Sequence, residues 1–183
     1  MVYLFLADGV AEMEAVTVTE CLRRGGAAVQ TVGVTGMTVT GARGMKLLAD
    51  IPLADMPDGP YELLVLPGGL RGVENLAASE TMRELVRDAL MSGMPLGALC
   101  AAPKMLAGMG LIEARTVTCH PSVAEEVRQG GAYVLDRPWV REGALVTGRG
   151  PGASIAFGIA LVSLLFGDGR AGALAEELLV PWR

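Results

Sequence analysis

Val2-Tyr3-Leu4-Phe5-Leu6 is an unbroken apolar run that stops at Ala7-Asp8-Gly9. A strand with one wet face alternates apolar and polar residues, so a run without alternation fits a parallel strand covered on both faces. Leu63-Leu64-Val65-Leu66, ending at Pro67-Gly68-Gly69, and Leu96-Gly97-Ala98-Leu99, ending at Cys100, repeat the pattern. Helical segments separate these runs. The periodicity predicts helices over Val10–Arg24, stopped by Gly25-Gly26, and from a Ser79 cap to Ser92. Further helices are expected over Pro103–Met109, Val123–Gln129, Ser154–Phe166 and Ala171–Leu179. Strands are expected at Val29–Val34, Thr116–Thr118, Tyr133-Val134, Trp139–Arg141 and Ala144–Thr147, with a small hairpin from Thr38–Thr40 and Met45–Ala49. Strand-helix alternation with unalternating strands indicates an α/β sandwich, a largely parallel sheet between helical layers. No linker, repeat or low-complexity segment divides the sequence, and residues 1–183 read as one domain.

Composition narrows the function classes. Half the residues are hydrophobic and the mean hydropathy is +0.44, which raises the question of a membrane span. The longest apolar stretch, Ile155 to Phe166, is well short of the about 20 residues a span needs. The first apolar run has no basic segment before it and meets Asp8, Glu12 and Glu14, unlike a signal peptide, so a cytoplasmic protein is expected. Cys21, Cys100 and Cys119 have unrelated spacings and the chain has one histidine, which argues against structural zinc and a disulfide framework. The net charge is −5 and the basic residues are scattered, so nucleic acid is not an expected partner. A small molecule or a second copy of the chain is.

In open α/β sheets ligands bind at the carboxyl ends of the strands. That rule selects three loops: Asp8-Gly9, Pro67-Gly68-Gly69 and Cys100-Ala101. Pro103 fits the first turn of a helix, so Cys100 lies at a strand-to-helix turn, where backbone N–H groups favour thiolate over thiol. A small buried residue is the plain alternative. On the first helix Ala11, Ala15, Val18 and Leu22 form one stripe, with Val10, Glu14, Thr17 and Cys21 beside it and Glu12 and Arg23 on the far side. Glu14 is then the inward carboxylate, with burial raising its pKa, unless it is solvated or caps the helix. Gly68 and Gly69 suit either a tight turn or backbone N–H groups brought close to a developing oxyanion. His120, in Thr118-Cys119-His120-Pro121, ends a strand expected beside the cysteine strand; it is either structural or part of the site. Gly148-Arg149-Gly150-Pro151-Gly152 precedes a helix and fits a packing turn or an anion-holding loop. Cys21 and Cys119 read as buried small residues.

Ala7–Val16, Val65–Gly69 and Ala98–Pro103 together resemble the ThiJ/PfpI superfamily, in the branch of the Parkinson's-linked protein deglycase and the bacterial YajL-type proteins. Arg43–Asp50, Thr118–Pro121 and Arg149–Gly152 extend the likeness over nearly the whole chain. The resemblance implies a flavodoxin-like three-layer sandwich, similar to class I glutamine amidotransferases, and a homodimer. It implies a nucleophilic, easily oxidised cysteine at Cys100, bonded to Glu14, with the Gly68, Gly69 and Ala101 amides as oxyanion donors and His120 nearby. It also implies a glyoxalase III-like or deglycase activity without metal or other cofactor, acting on small reactive carbonyls or glycated protein side chains. The alternative role is an oxidative-stress sensor in which Cys100 becomes a sulfinate. Where the protease branch has a histidine directly after the cysteine this chain has Ala101, so a peptidase dyad is missing. Segment 40–50, where some relatives carry peripheral cysteines, has none.

A free thiol near pKa 8.5 is about 3% thiolate at pH 7. A helix start contributes roughly 1 kcal/mol and a hydrogen bond from a protonated Glu14 about 1.5 to 3 kcal/mol. At about 1.4 kcal/mol per pH unit, the expectation is a Cys100 pKa lowered by about two to three units, with thiolate the majority form.

Overall fold

The computed structural model describes residues 1–182. The chain runs β1 (Val2–Leu6), α1 (Glu12–Arg24), β2 (Val29–Gly33), β3 (Thr38–Thr40), β4 (Lys46–Leu48), β5 (Ile51–Pro52) and β6 (Leu63–Leu66). It continues through α2 (Leu70–Ala78), α3 (Glu80–Ser92), β7 (Leu96–Leu99), α4 (Ala102–Gly108), β8 (Thr116–Val117) and α5 (Ala124–Gln129). The last elements are β9 (Tyr133–Val134), β10 (Trp139–Glu142), β11 (Leu145–Gly148), α6 (Ser154–Phe166) and α7 (Asp168–Glu177).

Seven strands form one sheet in the order β10-β11-β7-β6-β1-β2-β5, parallel throughout except for the edge strand β10. The unalternating runs divide their side chains between two cores because successive residues point to opposite faces. Tyr3, Phe5, Leu64 and Leu66 pack on the face covered by α2 to α5, whereas Val2, Leu4, Leu63 and Val65 pack under α1, α6 and α7. Every residue of β1, β6 and β7 is buried. This is the expected flavodoxin-like sandwich. Among the described residues no helix is long and apolar enough to cross a membrane.

Three features depart from the sequence expectations. Leu70–Ala78 forms a helix in a segment to which the sequence pattern assigned no element, directly after the Pro67-Gly68-Gly69 loop. Gly72 is there for space, since a Cβ at that position would lie 2.8 Å from the Val10 backbone. The strand before His120 does not neighbour the cysteine strand. β8 pairs with β9 in a separate two-stranded sheet, and β11 and β6 flank β7. Thr118 is instead tied to the main sheet by its N–H, which donates to Thr147 Oγ1 at 2.9 Å. Finally, Glu12 is buried at 6% exposure because the β3–β4 hairpin folds over the start of α1. Its carboxylate accepts the Arg43 N–H at 2.7 Å and the Met45 N–H at 3.3 Å. Burial pushes the Glu12 pKa up, but those backbone N–H groups and the Arg43 charge outweigh it and hold the carboxyl below its ordinary range.

Phe157 on α6 fills the space left by two glycines, lying 3.1 Å from where a Gly97 Cβ would stand and 2.8 Å from that of Gly148. The ring thereby supports β7 and β11 directly beneath the cysteine turn. Phe157→Ala should cost about 3 to 5 kcal/mol through lost burial and a residual cavity. Urea denaturation should show the midpoint falling at unchanged slope; an unchanged midpoint would refute this packing.

Candidate active site

Cys100 occupies the turn between β7 and α4 with φ of 64°, a left-handed conformation that costs a non-glycine residue about 1–3 kcal/mol. The neighbours hold it there. Its N–H donates to the Gly148 carbonyl of β11 at 2.8 Å, and its own carbonyl accepts the His120 N–H at 2.8 Å. The turn was legible from Pro103 but its backbone sign was not, because nothing in Ala-Leu-Cys-Ala-Ala-Pro requires a positive φ.

Glu14, in the first turn of α1, is fully buried. The loop after β6 places it. Ala11 N–H donates to the Gly68 carbonyl at 3.0 Å, and Gly68 N–H donates back to Glu14 Oε2 at 2.7 Å. Gly68 cannot be larger. A Cβ there would stand 2.5 Å from Cys100 Cβ, 2.9 Å from its sulfur and 2.6 Å from Glu14 Oε2, so the thiol and the carboxyl converge on the vacant face of this glycine. Glu14 Oε1 is buried with no hydrogen-bond partner, and the carboxyl group interacts with the Cys100 side chain.

The expected oxyanion donors separate. The Gly68 N–H is committed to Glu14 and is not an open donor, a correction that follows from the depth of the carboxylate. The Gly69 and Ala101 N–H groups face the Cys100 sulfur and favour its anion. His120 reaches the turn through its backbone, while its ring Nδ1 engages Ser122 Oγ at 2.8 Å and accepts the Ser122 N–H at 3.2 Å. Ser122 therefore supports the site without having been selected from the sequence, where the pattern His-Pro-Ser was the available signal, and Gly148, read there as the start of a packing or anion-holding turn, supports it through its carbonyl. Asp8, at the third selected loop, is structural: Oδ1 accepts the Thr40 N–H at 2.7 Å and so anchors the hairpin. Cys21 and Cys119 are buried, and burial pushes each thiol up to about 11. Among the described residues no group of three or more His, Cys, Asp or Glu is arranged to hold a metal.

The electrostatics differ from the sequence expectation. Burial, then the Glu14 charge and its hydrogen bond, push the Cys100 thiol up to about 12 against the Gly69 and Ala101 amides. Burial likewise raises Glu14, against its bonds to Cys100 and Gly68. Desolvation comes first in both: a charge on either group is costly in this pocket, and the Glu14 charge adds to the cost of the thiolate. While Glu14 is ionised the sulfur keeps its proton. A standing thiolate beside an ionised Glu14 is thus excluded, and the thiolate forms when Glu14 takes the proton.

The sequence model of the DJ-1/PfpI family matches residues 1–164. The chain belongs to this family. It is 33% identical to Drosophila melanogaster protein dj-1beta over 180 residues, covering 98% of this chain and 96% of that protein. The crystal structure of Drosophila DJ-1beta superposes with a TM-score of 0.94 at 31% identity, over 99% of this chain and 98% of that one. A Caenorhabditis elegans DJ-1/PfpI relative named glutathione-independent glyoxalase DJR-1.2 is 31% identical over 171 residues, covering 93% and 91%.

The raised Glu14 pKa has a signed consequence for folding. The native state holds the Glu14 proton more tightly than the unfolded chain, so wild-type stability is favoured below the ordinary carboxyl value of 4.5 and declines as pH rises through the higher folded value. Glu14→Gln removes this dependence. Relative to wild type the variant should gain stability as pH rises above 4.5; parallel stability-pH curves from urea titrations would show that folding does not raise the Glu14 pKa.

Proposed function

We propose that the chain is a cysteine-dependent glyoxalase of the glyoxalase III type, acting on methylglyoxal, glyoxal or their early adducts on protein side chains, with deglycase activity on the latter. The observation that carries this reading is the buried Glu14 carboxyl, held against Cys100 by the Gly68 N–H with its Oε1 unpartnered. A buried carboxyl oxygen left unpaired is costly, and a role as proton acceptor from the sulfur accounts for it. The glyoxalase relative supports the same reaction class.

Cys100 sulfur attacks the aldehyde carbon of methylglyoxal as its proton passes to Glu14. The carbonyl π pair moves to oxygen, where the Gly69 and Ala101 N–H groups receive the developing charge. Glu14 returns its proton to that oxygen, giving a neutral hemithioacetal. The carboxylate then removes the hydrogen from the former aldehyde carbon and delivers it to the adjacent carbon, with proton exchange between the oxygens. The aldehyde carbon becomes a thioester and the ketone an alcohol, an internal redox exchange that needs no external oxidant. Water cleaves the thioester, releasing the 2-hydroxy acid lactate and the Cys100 thiol. With an early hemiaminal adduct, the sulfur displaces the side-chain amine at the same carbon and the later steps are unchanged. His120, with its ring engaged by Ser122, shapes the pocket wall while Glu14 moves the protons.

Cys100→Ser should abolish lactate formation from methylglyoxal, and Glu14→Gln should lower kcat by at least about a hundredfold. Wild-type-like turnover in either variant would overturn the assignment. So would wild-type protein that oxidises at Cys100 in dilute peroxide, by intact mass, yet makes no lactate.

A further inference from the structure

The mechanism leaves unused a cavity of about 740 Å³ on the His120 side of the cysteine turn. Its walls continue the two segments that grip Cys100. His120, bonded through its N–H to the Cys100 carbonyl, forms one side, and the residues after Gly148, whose carbonyl accepts the Cys100 N–H, form another. The third side is the Asp136-Arg137-Pro138 loop. This loop is fixed in place. The Thr118 hydroxyl donates to the Arg137 carbonyl at 2.9 Å and the Arg149 N–H donates to the Pro138 carbonyl at 2.9 Å.

The charges lining this space are unequal. Arg149 pairs with Asp136 at 2.9 Å, whereas Arg137 has no acidic partner among the described residues. Two arginines and one aspartate therefore line this cavity in a chain whose net charge is −5. Free methylglyoxal, with three carbons and no charge, uses none of this. A planar guanidinium on an anchored backbone matches a carboxylate or phosphate, which it binds through paired N–H donors.

Building on the Cys100 glyoxalase reading, we infer that this cavity is a subsite for an anionic tail, so that the chain prefers 2-oxoaldehydes bearing a carboxylate or phosphate over neutral ones. Arg137 supplies the free cation. Asp136 competes with the substrate for Arg149 and sets the strength of the preference. Both are specificity residues; neither touches the reacting carbon.

The test compares methylglyoxal with 4,5-dioxopentanoate, a 2-oxoaldehyde with a carboxylate tail whose product is 2-hydroxyglutarate. Wild type should show the higher kcat/KM for the anionic substrate, with the advantage shrinking as salt is raised. Arg137→Gln should reduce that advantage about tenfold, the effect of losing one charge-assisted hydrogen bond, while methylglyoxal turnover stays unchanged. Asp136→Asn should increase it. Opposite effects from adjacent exposed residues are not produced by a general loss of structure. Equal kcat/KM for both substrates, or a ratio unmoved by Arg137→Gln, would overturn the subsite while leaving the glyoxalase reading intact. If neither aldehyde is turned over, the glyoxalase reading fails, and calorimetric titration with glutarate decides the subsite alone: binding lost in Arg137→Gln supports it, and absent or unaltered binding overturns it.

Discussion

The site depends on a reciprocal clamp between the start of α1 and the loop after β6. Ala11 N–H to Gly68 carbonyl and Gly68 N–H to Glu14 Oε2 tie two segments far apart in sequence through a single glycine. The first bond satisfies one of the donors that every helix start leaves open. The second fixes a carboxyl group in a region with no access to water, where it would otherwise adopt no defined position. With α1 anchored in this way, the Glu14 carboxyl is held against the Cys100 side chain.

Burial gives this contact its chemistry. In water a glutamate and a cysteine would ionise independently, more than three pH units apart. Packed on the bare face of Gly68, both are raised by burial, and Glu14 raises the Cys100 thiol further while the bond to Cys100 lowers Glu14 in return. A proton passed from one to the other suits a reaction that needs a base for the thiol and then an acid for the oxyanion, because one transfer prepares the next. The left-handed backbone at Cys100 belongs to the same design: it lifts the sulfur off the sheet toward Gly69 and Ala101, and the bonds to Gly148 and His120 offset its strain.

Much of this was readable beforehand, for specific reasons. The runs at β1, β6 and β7 carry no polar residue to place on a wet face, which leaves a doubly covered parallel sheet as their physical solution. Pro103 marks the helix start after Cys100, and the α1 stripe turns Glu14 inward. The failures share a cause. Glu12 lies on the predicted solvent side of α1, but a hairpin more than 25 residues away in sequence covers it. The strand before His120 looks like any other short strand, and its exclusion from the main sheet depends on β11 already occupying the position beside β7.

The sequence by itself determined the sheet, its carboxyl-end loops and the residue types able to perform thiol chemistry, because apolar periodicity and turn residues act over a few neighbours. Tertiary structure alone decided that the Gly68 N–H serves Glu14 and not an oxyanion, that burial beside Glu14 raises the Cys100 thiol, and that Arg137 lines a cavity next to the cysteine turn. Those properties arise from desolvation and from distances between segments that meet only on folding, and neither is encoded in local spacing.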